Sequence, residues 1–267
     1  MANFDLNNFV IDRIVRGVAL SQKDNSVLFS INQIQNASLN CASESTDAVD
    51  ALGTPIATFY RAKSAEFSAE NALFDMQLMA TQMGTKKKVA SAETKIRVPA
   101  METFVVEGGT YTLKHAPAVA PTEIYALNGD STFGTKYAKS TGSQAATATA
   151  TTFGIAGQEL KLPTDVEAGT EMFVMYEYDT ENAVEVVNSA TEFPVGCKFI
   201  MEVLGCDVCD QTNLIYAYVI FNNFKLSPDF DWSIATDGAH PFSGRAQQDY
   251  CDREKRLFSI VIPGDAE

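Results

Sequence analysis

The chain has 267 residues, of which 46% are hydrophobic, and a formal net charge of −14. This hydrophobic share is enough for a folded core and excludes a wholly disordered protein. The acidic balance makes a nucleic-acid-binding protein a poor candidate, because phosphate recognition depends on Lys and Arg. No apolar run reaches the roughly 20 residues of a membrane span. The first residues also lack the basic and apolar regions of a signal peptide, so we expect a protein made in a cytoplasm, with no membrane partner.

Side chains that commonly carry catalysis are scarce. The chain has two histidines, His115 and His240, and one tryptophan, Trp232. Enzymes usually gather histidine, carboxylates or an activated nucleophile in a pocket, and we find no recognised motif of that kind. We therefore expect neither enzymatic activity nor a cofactor.

The cysteines offer one metal hypothesis. Their number is odd, which argues against a disulfide scaffold in a protein that is not secreted. Cys206 and Cys209 form a C-x-x-C pair that could hold zinc through two thiolates, with His240 and Cys251 completing a tetrahedron. His240 and Cys251 lack the short paired spacing of a zinc motif. The alternative, which we favour, is that these cysteines are buried or turn thiols.

Strand patterns dominate the first 70 residues. Residues 22–26 predict a hairpin turn, and residues 27–34 predict a strand with a bulge or a change of face. The small and polar residues 40–52 predict a long loop. Residues 54–70 predict a long extended segment, in which Tyr60 and Ala62 lie on one face while Phe59, Arg61 and Lys63 lie on the other.

One segment carries the pattern of a helix. Apolar residues recur at helical spacing through residues 71–83. Asn71 is placed to cap the first turn, and Gly84 follows where a left-handed residue often ends a helix. We expect this helix to pack on a sheet.

The middle of the chain differs from the two ends. Residues 99–192 contain short strand patterns separated by turn residues and carry much of the negative charge, whereas residues 199–204 and 214–221 are nearly continuous apolar strands. We therefore predict a mainly β protein. Its core domain, with one helix and a sandwich or barrel-forming sheet, comprises residues 1–98 and 193–267. An inserted β-sandwich, residues 99–192, interrupts it.

Three segments resemble the structural proteins of tailed bacteriophages, most closely the major tail tube proteins. They are the early hairpin that ends near Ile34, the run from Asp50 through Tyr60 to Glu70 before the helix, and the closing strands with residues 242–251. The resemblance implies a β-sandwich flanked by a helix, with a long hairpin that reaches neighbouring subunits. It further implies rings, usually hexameric, that stack into a tube through which DNA passes. It also implies inserted immunoglobulin-like modules that decorate the exterior of the tube, and residues 99–192 would be such a module.

The resemblance directs attention to residues 54–70 as the intersubunit contact. We predict that Phe59, Arg61, Lys63 and Phe67 contact neighbouring copies of the chain. The expected partners are further copies and other virion proteins, with DNA as passing cargo, in a virion assembled in the host cytoplasm.

Three alternatives from other classes remain open at this point. The first is a head-decoration or other capsid-associated protein, which would bind a preformed shell and form no tubes. The second is a binding module whose acidic sandwich recognises carbohydrate or a host surface, although a single tryptophan argues mildly against sugar stacking. The third is a zinc-dependent enzyme or a zinc-stabilised fold at Cys206 and Cys209.

Overall fold

The structure, a computed structural model, describes residues 6–141, 146–250 and 253–264. The chain divides into two compact units. Unit 1 comprises residues 1–87 and 186–267, and unit 2 comprises Lys88–Glu185. The predicted boundary at residues 98 and 99 falls inside a ten-residue strand, Ile96–Val105, which belongs wholly to unit 2. Pro99, the first residue of the predicted insertion, lies within that strand.

Unit 1 is built on an eight-stranded antiparallel sheet. In spatial order its strands are β2, β1, β14, β15, β16, β4 and β3, with β17 also paired to β15. Their bounds are Phe9–Ser21 (β1), Val27–Ile31 (β2), Ile34–Val49 (β3), Pro55–Asn71 (β4), Gly196–Asp207 (β14), Asp210–Leu226 (β15), His240–Ala246 (β16) and Ser259–Val261 (β17). The predicted turn at residues 22–26 joins β1 to β2, as expected.

The core of unit 1 is a cluster of phenylalanines. The ring of Phe67, on β4, lies 5.7–6.4 Å from the rings of four others. They are Phe199, Phe221, Phe224 and Phe242, and each is at most 2% exposed. Gly244 on β16 pairs with Phe67, and a Cβ there would lie 2.5 Å from the Phe224 ring. Close packing of the rings therefore requires glycine at this position.

The helix is shorter than predicted. Helix α1 spans Met76–Gln82, and its N-cap is Asp75, whose carboxylate accepts hydrogen bonds from the backbone N–H groups of Gln77 and Leu78. Asn71 is instead the last residue of β4, 2% exposed, where its side chain bonds the backbone of Gln33 and Leu73. The predicted end is confirmed, since Gly84 has a φ of +73°.

The predicted loop at residues 40–52 is wrong over most of its length. Residues 40–49 belong to β3, which pairs with β4 as far as the tip of the hairpin. Small and polar residues suggested a loop because neither face of this part of the strand is buried by the subunit. A strand is recognised in a sequence by alternation of apolar and polar residues, which arises when one face is buried. This part of β3 has no buried face and therefore no such alternation.

Unit 2 is a β structure around its own core. One seven-stranded sheet has the order β6, β12, β8, β9, β10, β11 and β7, and β5 pairs with β13. The bounds are Lys88–Val89 (β5), Ile96–Val105 (β6), Thr110–Thr112 (β7), Glu123–Leu127 (β8), Phe133–Lys139 (β9), Thr152–Ala156 (β10), Glu159–Lys161 (β11), Glu171–Thr180 (β12) and Val184–Glu185 (β13). Part of the alanine- and threonine-rich stretch at residues 142–152 lies outside the described residues.

A buried carboxylate organises the core of unit 2. Glu102 is 3% exposed and accepts hydrogen bonds from the hydroxyls of Tyr111 and Tyr176 and from the backbone N–H of Lys114. Burial and the bond to Glu102 together raise the pKa of Tyr111 to about 12. Each phenol therefore stays a donor, so the carboxylate is stabilised without a cation.

The architecture confirms the predicted fold class, which is mainly β with one helix among the described residues. No helix in the described part of the chain is long and apolar enough to cross a membrane. Independent folding of the inserted segment stays a prediction.

Candidate assembly surface

The β3–β4 hairpin extends beyond the rest of the sheet. Pairing between β4 and β16 ends at Ala65, and from there to the tip β4 pairs with β3 alone among the described residues. Every residue from 42 to 64 is exposed, whereas Ala65 is 1% exposed. We call residues 42–64 the arm. At about 3.3 Å per residue, its strands reach about 30 Å from the sheet.

The tip of the arm is an ordered turn. The Asp50 carboxylate accepts hydrogen bonds from the backbone N–H groups of Leu52 and Thr54, each at 2.8 Å. Gly53 has a φ of +84°, a conformation that favours glycine. These contacts close the hairpin locally, while the side chain of Leu52 is 91% exposed.

The arm carries several large apolar side chains that are exposed. Ile56 is 72% exposed, Tyr60 71% and Phe59 54%. Val49 and Leu52 add further apolar surface near the tip. Apolar groups gathered on one projecting element typically mark an interaction site.

The predicted contact residues divide into two groups. Phe59, Arg61 and Lys63 are exposed on the arm, where a neighbour could reach them. Phe67 is wrong as a contact residue, because its ring is 2% exposed and lies in the centre of the phenylalanine core. The prediction placed Phe59, Arg61 and Lys63 on one face, and regular alternation along β4 would place Phe67 on that face too.

A β-bulge lies between Arg61 and Phe67. Ala42 pairs with Ser64 and Glu44 pairs with Arg61, so Ser43 faces two residues, Ala62 and Lys63. Ala62 has a φ of +49°, which is uncommon for a residue with a Cβ. The extra residue reverses the alternation of side chains along β4. A single sequence without glycine at this position gave no sign of it.

The candidate metal ligands that the structure describes are not gathered into a site. Cys206 lies near the end of β14, Cys209 is exposed in the β14–β15 turn and His240 is buried at the start of β16. Cys251 lies outside the described residues. In the described ranges no three side chains of His, Cys, Asp and Glu lie close enough together to hold an ion.

His240 instead belongs to a structural network. Its Nδ1 accepts a hydrogen bond from the backbone N–H of Asp75 at 3.4 Å, and its Nε2 lies 2.8 Å from Oε1 of Gln82. The amide of Gln82 donates in turn to the carbonyl of Pro241 at 3.2 Å. Burial lowers the pKa of His240, although the nearby Asp75 carboxylate opposes that shift. The neutral ring therefore connects α1 to the sheet.

Aromatic rings surround the same histidine. Phe74 stacks on His240 at 5.3 Å between centroids and on Trp232 at 4.4 Å. Phe230 lies 6.1 Å from the imidazole. The single tryptophan thus reports on the junction between α1 and the sheet.

Comparison with known proteins gives one family. The YomU/Tube protein family matches residues 9–256, a span that includes strands β1–β16, the arm and unit 2. Comparison with the curated proteins found no match. The chain belongs to the YomU/Tube protein family, and this supports the resemblance to phage tube proteins that its sequence indicated.

Proposed function

We propose that this protein is the major tail tube subunit of a tailed phage, a non-catalytic virion protein that assembles in the host cytoplasm. Copies of the chain would form rings, the rings would stack into a tube, and DNA would pass through the tube. The family match supports a tube protein, and the arm is the observation that carries the finer proposal. The arm is a long element that its own subunit leaves uncovered.

The physical argument starts from the stability of a two-stranded hairpin. An isolated hairpin is marginally stable in water, and a third strand or a packed face is needed for more. The arm has neither among the described residues, yet it carries Leu52, Ile56 and Tyr60 at 71–91% exposure. A neighbouring subunit that covered these side chains would supply the missing face. Burial of apolar surface is worth about 25 cal/mol per Å².

Open strand edges support ring formation. β1 pairs with β2 only from Gly17 onward, so no described strand pairs with its outer side from Phe9 to Arg16. β15 has no described partner on its outer side between Asp210 and Ala217. Both stretches flank β14. An open edge aggregates unless it is covered or paired, and head-to-tail pairing of the two edges between copies would close a ring.

The remaining parts of the proposal follow from the resemblance and the charge. The resemblance to tail tube proteins implies hexameric rings and contacts with other virion proteins at the tube ends. A net charge of −14 disfavours tight binding of DNA, which suits DNA as passing cargo. We also propose that unit 2 is an inserted immunoglobulin-like β-sandwich, supported by its seven-stranded sheet and its separate core.

Negative-stain electron microscopy of the purified protein across a concentration series tests the proposal. We expect rings or hollow tubes of uniform diameter at high concentration. Dispersed particles at every concentration would count against self-assembly and favour a decoration protein. Adding preformed phage heads in a parallel series separates the two functions, because a decoration protein binds the shells and a tube subunit does not.

A further inference from the structure

Three structural changes occur within residues 62–65 of β4. The positive φ of Ala62 and the two-against-one pairing with Ser43 define a β-bulge. Support from β16 ends three residues later, at Ala65. Burial also ends there, since Ser64 is exposed and Ala65 is buried. The bulge therefore lies at the joint between the arm and the folded sheet.

The bulge has two geometric consequences. A β-bulge bends its strand and increases the local twist, so it sets the direction in which the arm leaves the sheet. It also selects the side chains on each face. Cys41 pairs with Ala65, whose side chain faces the core, and regular alternation along β3 then places Ser45 on that same side. Tyr60 pairs with Ser45, so the core-facing side continues through Tyr60 and not through Phe59.

Local preference does not explain an alanine at this position. The left-handed region is favourable for glycine and unfavourable for a residue with a Cβ. No core contact requires the bulge either, because Ala62 and its neighbours Arg61 and Lys63 are exposed. What the bulge changes is the position of the arm.

We infer that Ala62 is a positioning residue of assembly, which acts by fixing the direction and the face that the arm offers to a second copy of this chain. This inference rests on the proposed function for the identity of the partner. Its structural part concerns the free subunit and is measured without assembly.

Two variants remove the bulge in different ways. Deletion of Ala62 leaves Ser43 opposite Lys63 and preserves the pairs on both sides, so it straightens the arm and keeps its faces. Insertion of one serine after Ser43 gives Ala62 a partner of its own, so it straightens the arm and also exchanges its faces. Ala62→Gly is the matched control, because glycine keeps the bulge and tolerates a positive φ.

The first readout is the arm's direction in the free subunit. Spin labels are attached through bioorthogonal amino acids at two exposed sites, Leu52 at the tip and Ser30 on β2. Pulsed electron resonance then gives the distance between them. We expect both bulge-removing variants to move the mean distance outside the width of the unmodified distribution, and Ala62→Gly to leave it in place. An unchanged distance in both variants overturns the inference.

The second readout is assembly by electron microscopy, with circular dichroism to verify folding. We expect tubes from Ala62→Gly, and no tubes or tubes of altered diameter from the deletion and the insertion. Normal tubes from the deletion refute the role of arm direction, and normal tubes from the insertion refute the role of the face. If the unmodified protein forms no tubes while the label distance shifts, the tube function fails and the bulge's control of the arm stands.

Discussion

The two ends of the β3–β4 hairpin have the same backbone pairing and opposite surroundings. At the root, residues 65–71 of β4 lie between β3 and β16, and Phe67 packs among four other phenylalanines. In the arm, residues 55–64 are exposed throughout, and β3 is the one strand in the described part of the chain that pairs with them. A continuous ladder of hydrogen bonds therefore does not decide whether a strand segment belongs to the core or stays exposed. A third strand and a covered face make the root part of the core, and their absence leaves the arm free for a partner.

Truncation of one phenylalanine at each end gives the largest contrast. Phe67→Ala should lower the free energy of unfolding of unit 1 by about 3–5 kcal/mol, because it leaves a cavity among packed rings. Phe59→Ala should change that free energy by no more than about 0.5 kcal/mol, because the ring is exposed. Urea unfolding followed by Trp232 fluorescence measures both. A loss in Phe59→Ala comparable to that in Phe67→Ala would contradict the division between arm and root.

Acid should weaken the root through His240, which pairs with Asn71 at the end of β4. Burial holds the pKa of His240 below its ordinary value of 6.5. As the pH falls below 6.5, the unfolded chain binds a proton that the folded subunit does not, so stability decreases until the lower folded pKa is reached. Above pH 6.5 both states are neutral and this contribution is constant.

His240→Gln isolates that effect from the titration of carboxylates. A glutamine amide can still donate to Gln82, but it does not titrate. We expect the unmodified protein to lose more stability than His240→Gln between pH 6.5 and 5, by urea unfolding monitored at Trp232. Equal pH dependence in the two proteins would show that protonation of His240 does not weaken the root.

Charge reversal in the arm should leave the subunit intact and impair assembly. Arg61→Glu with Lys63→Glu adds negative charge to an already acidic chain, at a surface proposed to meet another copy. Thermal unfolding should be unchanged, since both side chains are exposed. Electron microscopy should show few or no tubes. The control is Lys86→Glu with Lys87→Glu, an equal charge change at exposed residues outside the arm. Normal tubes from the arm variant would refute the contact assignment.

Removal of unit 2 should have the smallest effect of these changes, because the root and the arm both belong to unit 1. Lys88 and Glu185 are cross-strand partners, so a short Gly/Ser linker can join Lys87 to Val186. We expect the shortened protein to be soluble, to keep its β-type circular dichroism and to unfold in the same urea range at Trp232. Insoluble material would argue that unit 1 does not fold independently.

Local sequence patterns were sufficient where burial and local chemistry agree. The apolar runs in β14 and β15, the turn at residues 22–26 and Gly84 after α1 are each confirmed. Patterns were insufficient where the buried face is absent or a local motif competes. Residues 40–49 looked like a loop because the arm has no buried face. Asn71 looked like a helix cap, but its buried side chain bonds the chain around the end of β4.

The sequence alone predicted a mainly β protein with a net negative charge and a long extended segment before a helix. These features follow from composition and from the period of apolar residues, which a single chain displays directly. The three-dimensional structure was needed to show that Phe67 is core while Phe59 is surface, because the pairing of β16 with β4 ends at Ala65 and both faces of the arm are exposed. It was also needed to assign the two side chains to opposite faces, because one extra residue opposite Ser43 reverses the alternation between them. A bulge is a property of two strands in register, and no period within one strand contains it.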